Sequence, residues 1–69
     1  MKAIVKKIKV GTEIDYHDGK GGFDIFMKEM KQYIGKEIEV ESDTVRQDWF
    51  YETESDLGWH FHSSWLEFA

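Results

Sequence analysis

Residues 49–54, 59–62 and 66–68 are three short runs in which apolar and polar side chains alternate, and only four and three residues separate them. Gaps that short hold turns and leave no room for a helix, so the C-terminal third is committed to closely spaced strands. Residues 55–58, Ser-Asp-Leu-Gly, read as a hairpin turn, and Ser63-Ser64 as one tight turn before a closing strand. Six of the eleven aromatic residues lie in 49–51 and 59–65. A small β structure with so many rings in one stretch is expected to leave several half exposed.

The chain has 69 residues, which is room for a single domain, 1–69. A domain of this size buries only about 60% of the surface its unfolded chain exposes. Small domains often add disulfides or a metal, but cysteine is absent here, which excludes disulfides and thiolate metal sites. That absence fits a reducing cytoplasm. Aromatic burial must then supply much of the stability, at ~150–250 Å² per ring and about 25 cal/mol per Å². No apolar run approaches the ~20 residues of a membrane span, and residues 1–7 lack the apolar centre of a signal peptide. The expected protein is soluble and cytoplasmic, with no cofactor.

Residues 2–10 read as a first strand, with Ile4, Ile8 and Val10 inward and Lys7 and Lys9 outward. Residues 11–22 form a long excursion whose glycine-rich tip follows Asp18-Gly19. Residues 25–34 place Phe26, Met30, Tyr33 and Ile34 on one helical stripe, with Asp24 as N-cap and Gly35 as the left-handed residue that ends the helix. Residues 36–41 alternate most clearly: Ile38 and Val40 face one way, Glu37, Glu39 and Glu41 the other. Those glutamates are placed to offset Lys7 and Lys9 across strands or to guard an edge. The expected core is Ile4, Ile8, Val10, Phe26, Met30, Ile34, Ile38, Val40, Phe61 and Leu66. The economical architecture is mainly β, a partly open five-stranded barrel with one short helix in its long first loop.

That layout resembles the SH3-like barrel. The run Gly58-Trp59-His60-Phe61-His62-Ser63-Ser64-Trp65-Leu66-Glu67 is similar to the SH3 ending of Gly, hydrophobics and Pro-Ser-Asn-Tyr-Val. The resemblance implies a 3₁₀ turn at Ser63-Ser64, a ligand-facing Trp65, a buried Leu66 and Trp49 near the start of the third strand. His62 stands where the groove proline of peptide-binding SH3 domains would be. With a helix in the long loop, residues 23–68 look more like small bacterial and phage-encoded SH3-like proteins of uncharacterised role. This implies a protein-binding module encoded by a phage or prophage.

The surplus rings define the candidate site. Tyr16, Trp49 and Trp65 would line a groove between the long loop, a strand start and the final turn, with Tyr51, Trp59 and His62 nearby. Aromatic anchors typify interfaces, and Glu13, Asp15 and Asp18 would select basic groups, which aromatic faces also attract. The same rings could instead cap the barrel ends. His60 and His62 leave one strand face, where two imidazoles could share a metal with His17 or an acid, although exposed histidines of this kind usually do nothing of the sort. Gly19-Lys20-Gly21-Gly22 lacks phosphate-loop spacing. Ser63 and Ser64 beside His62 have no nucleophile-elbow motif around them, so no enzyme is expected.

Charge separates the remaining readings. Residues 1–35 hold seven lysines against five acids, net +2, and residues 36–69 hold one lysine and one arginine against nine acids, net −7. The acidic half suits a basic protein or peptide partner, or mimicry of nucleic acid toward a nucleic-acid-binding protein. Direct nucleic-acid binding through Lys2, Lys6, Lys7 and Lys9 is the weaker alternative, because phosphate contacts rest on Lys and Arg.

Overall fold

The structure, a computed structural model, describes residues 1–17 and 19–68. It is mainly β. Strands β1 (Lys2–Val5), β2 (Glu13–Asp15), β3 (Phe23–Ile25), β4 (Glu37–Ser42), β5 (Trp49–Glu52), β6 (His60–His62) and β7 (Leu66–Phe68) are joined by two 3₁₀ helices, Lys28–Tyr33 and Ser63–Trp65. Five strands form one antiparallel sheet in the order β6-β5-β4-β1-β7, and β2 and β3 pair as a separate hairpin.

Strand order forces the sheet to bend. Five strands side by side span about 19 Å between edge strands at ~4.8 Å each. The edges here are β6 and β7, and only Ser63–Trp65 joins them. The step from His62 to Leu66 reaches at most ~13 Å. The sheet must therefore curl to bring its edges toward each other. They do not pair, so the expected barrel is not closed. Backbone groups at that corner are engaged elsewhere: Ser63 N–H donates to the Asp48 carbonyl (2.8 Å) and the Trp65 carbonyl accepts from Lys6 N–H (2.8 Å).

The first strand is shorter than its sequence suggests and faces the other way. It stops at Val5, with Ala3 and Val5 buried and Ile4 39% exposed. Lys36 O accepts from Val5 N–H, and Ala3 lies opposite Ile38, which sets the register. Bulky rings fill the interior, so small side chains fit beneath them. The core is Ala3, Val5, Phe26, Met30, Ile38, Val40, Trp49, Phe61, Trp65 and Leu66. Val10 is 41% exposed, and Ile8 and Ile34 only pack against the rim of this cluster. The rings meet edge to face, as their quadrupoles favour: Phe26 on Trp65 (centroids 5.4 Å apart), Tyr33 on Phe61 (6.0 Å) and Trp49 on Trp65 (5.5 Å).

The expected helix over 25–34 shrinks for a visible reason. The Phe26 backbone continues the β2–β3 ladder, donating to Thr12 O (2.9 Å) and accepting from Gly11 N–H (2.8 Å). A residue so engaged cannot lie within a helix. Only a six-residue 3₁₀ segment remains, and its N-cap is Met27, not Asp24. Its end matches expectation, since Gly35 comes after the C-cap with φ 79°. The carboxylate stripe of β4 is offset by Lys2 and the amino terminus rather than by Lys7 and Lys9. Glu39 lies 2.6 Å from the Met1 amine and 3.9 Å from Lys2 Nζ, and Glu37 is 4.0 Å from Lys2 Nζ. The hydrogen bond to the amine holds the Glu39 carboxyl below its usual range, against the opposing effect of burial.

Candidate functional site

Three segments distant in sequence converge at one end of the molecule: the β2–β3 hairpin, the β4–β5 turn and β6. Asp43 builds the turn by accepting from the N–H groups of Val45 (2.8 Å) and Arg46 (3.1 Å) through Oδ1, an Asx turn. Those two bonds and the His60 contact outweigh burial and hold its carboxyl below the ordinary range. The Val45 bond is the largest of these effects. Asp48 completes the turn at φ 68°, and Trp49 then enters β5.

His60 ties the three segments together. Its Nδ1 lies 3.0 Å from Asp24 Oδ2 on the hairpin, and its Nε2 lies 2.9 Å from Asp43 Oδ2 on the turn. Tyr16 OH donates to the same Asp24 oxygen (2.9 Å). A neutral imidazole has one N–H and donates to only one of these carboxylates, whereas the imidazolium donates to both. The ring also stacks on Trp49, with centroids 4.7 Å apart and planes 30° from parallel. Asp24 is therefore a bridging residue and not a helix cap. Both nitrogens of His60 are engaged within the protein, so the pairing of His60 and His62 on one cation is not formed. Among the described residues no cluster of three or more His, Asp or Glu has metal-binding geometry.

A groove of about 560 Å³ opens beside this bridge. Ile14, Asp15 and Tyr16 line it from the hairpin, Arg46 and Asp48 from the turn, and Trp49 and His62 from the sheet. Tyr16, Trp49, His62 and Asp15 thus come together as their sequence positions suggested. Trp49 forms the floor by one edge only, being 3% exposed and packed edge-on to Tyr16 at 5.2 Å. Asp15 is oriented by accepting His17 N–H at 2.7 Å, with His17 in the left-handed region at φ 56°. Asp18 lies outside the described residues.

Three expected members are elsewhere. Trp65 is 2% exposed and belongs to the core, because the second 3₁₀ helix turns it inward against Phe26 and Trp49. Tyr51 faces solvent on β5, its hydroxyl donating to Glu41 Oε2 at 3.2 Å. Trp59 is half-buried against the core, and its indole N–H has no hydrogen-bond partner among the described residues. Arg46, for which the sequence pattern carries no signal, lies on the Tyr16 ring at 4.1 Å from its centroid. Its buried Nε has no hydrogen-bond partner among the described residues.

His62 caps the second 3₁₀ helix. Its Nδ1 accepts the Ser64 N–H at 3.1 Å and lies 2.8 Å from Ser64 Oγ. Accepting through Nδ1 requires that nitrogen to be unprotonated, which assigns the Nε2–H tautomer by inference. Burial lowers the imidazole's pKa, with the Asp48 charge acting the other way. The groove wall it forms is therefore neutral near pH 7.

Burial first, then the hydrogen bond to Asp24, pushes the Tyr16 phenol up to about 12. The unfolded phenol ionises near ~10 while the folded one keeps its proton, so this stabilisation is intact below pH ~10 and falls as pH climbs toward 12. An ultraviolet absorbance titration should show Tyr16 ionising well after the ordinary range, with Tyr51 also raised, by its hydrogen bond to Glu41. Urea midpoints should decline between pH ~9.5 and 11.5 in the parent but much less in Tyr16→Phe. Three tyrosines titrating together near ~10 would contradict this placement.

Comparison with protein families, curated proteins and solved structures finds no match for this chain.

Proposed function

We propose that the protein is an SH3-like binding module, of the phage or prophage type that its sequence resembles, and that it takes a peptide segment of a partner protein in the groove between the β2–β3 hairpin and the β4–β5 turn. The observation that carries this reading is the convergence of Tyr16, Trp49, His62 and Asp15, from three separated segments, on one open groove. The His60 bridge supports it, because a recognition surface built on loops needs those loops held in place.

Asp15 and Asp48 supply the charged side of the groove, Arg46 opposes them, and neutral His62 adds none. A basic peptide segment fits that balance, provided it meets the acids and leaves Arg46 on its tyrosine. Mimicry of nucleic acid has less support: Glu37 and Glu39, central to the acidic stripe, are already partnered by Lys2 and the amino terminus.

The test uses intrinsic tryptophan fluorescence while short Arg- and Lys-containing peptides are titrated in. Asp15→Asn with Asp48→Asn keeps hydrogen-bonding oxygens in both turns but removes the charges. Affinity should fall about tenfold, equivalent to ~1.4 kcal/mol, with the fold intact by circular dichroism. Equal affinity in the neutralised variant would sink the proposal.

A further inference from the structure

A second groove, of about 590 Å³, lies where the segment after β1 meets the last turn of the first 3₁₀ helix. Its lining is Ile8, Val10 and Ile34 together with Lys7, Lys9 and Lys31, and it shares no residue with the groove described above. Lys31 lies in that helix and Ile34 is its C-cap, whose N–H donates to the Lys31 carbonyl at 3.1 Å and keeps the two residues close. Lys7 and Lys9 flank Ile8 in the irregular segment after β1. The result is an aliphatic floor edged by three ammonium groups.

Two features leave this surface available to a partner. None of the three lysines forms an ion pair among the described residues. This is notable in a chain with 14 acidic side chains against 9 basic ones. The aliphatic floor is partly open: Val10 is 41% exposed, while Ile8 and Ile34 are half-buried against the core. Burying them would gain about 25 cal/mol per Å².

We propose that this groove docks an acidic peptide segment anchored by aliphatic side chains, leucine or isoleucine flanked by Asp and Glu. The apolar anchors cover Ile8, Val10 and Ile34, and the carboxylates meet Lys7, Lys9 and Lys31. Nucleic acid fits less well. The lining contains neither an aromatic ring for base stacking nor an arginine for bidentate phosphate or guanine contacts. A bilayer surface is flat and suits a convex basic face better than this concavity. The proposal is independent of the hairpin groove, and the two differ in the sign of the charge each would receive.

Fluorescence anisotropy with a labelled peptide of two leucines among aspartates and glutamates tests the proposal. A control peptide carries Asn and Gln at the acidic positions. The acidic peptide should bind and weaken at least tenfold when Lys7→Glu and Lys31→Glu are combined. All these side chains are at the surface, and circular dichroism checks the fold. Val10→Asp should weaken binding by a similar factor, whereas Asp15→Asn with Asp48→Asn should leave it unchanged. Any of three results overturns the proposal: no binding at about 1 mM peptide, equal binding of the control peptide, or insensitivity to the lysine reversals. Tighter binding of a single-stranded oligonucleotide, or of anionic phospholipid vesicles, through the same lysines would also overturn it in favour of that partner.

Discussion

Replacing Glu52 with Ala should remove much of the protein's stability at 25 °C. Glu52 is 1% exposed, the one buried charged side chain among the described residues. It accepts the N–H groups of Glu54 and Ser55 at 3.0 Å each and of Trp59 at 3.3 Å, and the Ser55 hydroxyl also donates to it. These bonds span the turn between β5 and β6, so one side chain organises the whole connection. Burial alone would raise its pKa, but the hydrogen bonds prevail and the carboxyl is lowered below the usual range. Truncation strands three backbone donors and leaves a void. Each unsatisfied buried group costs ~1–3 kcal/mol, and these three donors are only partly buried, so the loss should lie at the low end, about 3–5 kcal/mol. A domain of this size has only ~3–10 kcal/mol in total.

Glu52→Gln keeps the shape and one acceptor, and should cost roughly half as much. It also carries the pH test. A depressed carboxyl contributes stability above its unfolded pKa of ~4.3 and loses it as pH falls through the folded value. The parent should therefore lose urea resistance below pH ~4, and Glu52→Gln should flatten that acid limb. Asp43, also depressed, keeps part of the slope. Urea melts of the three proteins decide the matter. A Glu52→Ala variant within ~1 kcal/mol of the parent would contradict the burial of this carboxylate.

Trp65→Ala should be as severe, for a different reason. Trp65 is 2% exposed, meets Phe26 and Trp49 edge to face, and its carbonyl holds Lys6 N–H at the end of β1. Large-to-small replacement of a buried aromatic costs ~3–5 kcal/mol through lost transfer energy and the remaining cavity. Thermal melting followed by circular dichroism should show a steep loss of stability, with Trp65→Phe intermediate. A folded Trp65→Ala protein that had only lost partner binding would return Trp65 to the surface. The consequence for mutagenesis is practical. Removing Trp49 and Trp65 does not separate binding from folding, because both are buried. Asp15 and Asp48, at the groove rim, do.

Part of this fold is legible in the sequence. Alternation at Ile38 and Val40 against three glutamates located β4 within a residue. The 3₁₀ turn expected at Ser63-Ser64 spans residues 63–65, and 66–68 form the expected short last strand. Gly35 took the left-handed conformation that only glycine adopts cheaply. These are local signals, set by backbone preference and a period of two. The first strand shows where such signals fail. Its period is equally compatible with either face inward. Pairing with β4 and the volume of four large rings selected Ala3 and Val5.

The candidate site divides along the same line. Its residue types were readable: aromatic and acidic positions around Tyr16 and Trp49, and histidines on one strand face. Their partners were not, because Asp24 and His60 are 36 residues apart and Asp43 and His60 are 17 apart. Glu52 sat on the Phe50 side of its strand, an inward polar residue that only the folded turn could satisfy. By itself, the sequence determined a mainly β chain, the positions of its turns and the kinds of side chain available for recognition. Tertiary structure alone decided which rings became core, which carboxylates became bridges and that the curled sheet stays open, because long-range packing and hydrogen-bond satisfaction arise only between segments that the chain's local preferences do not bring together.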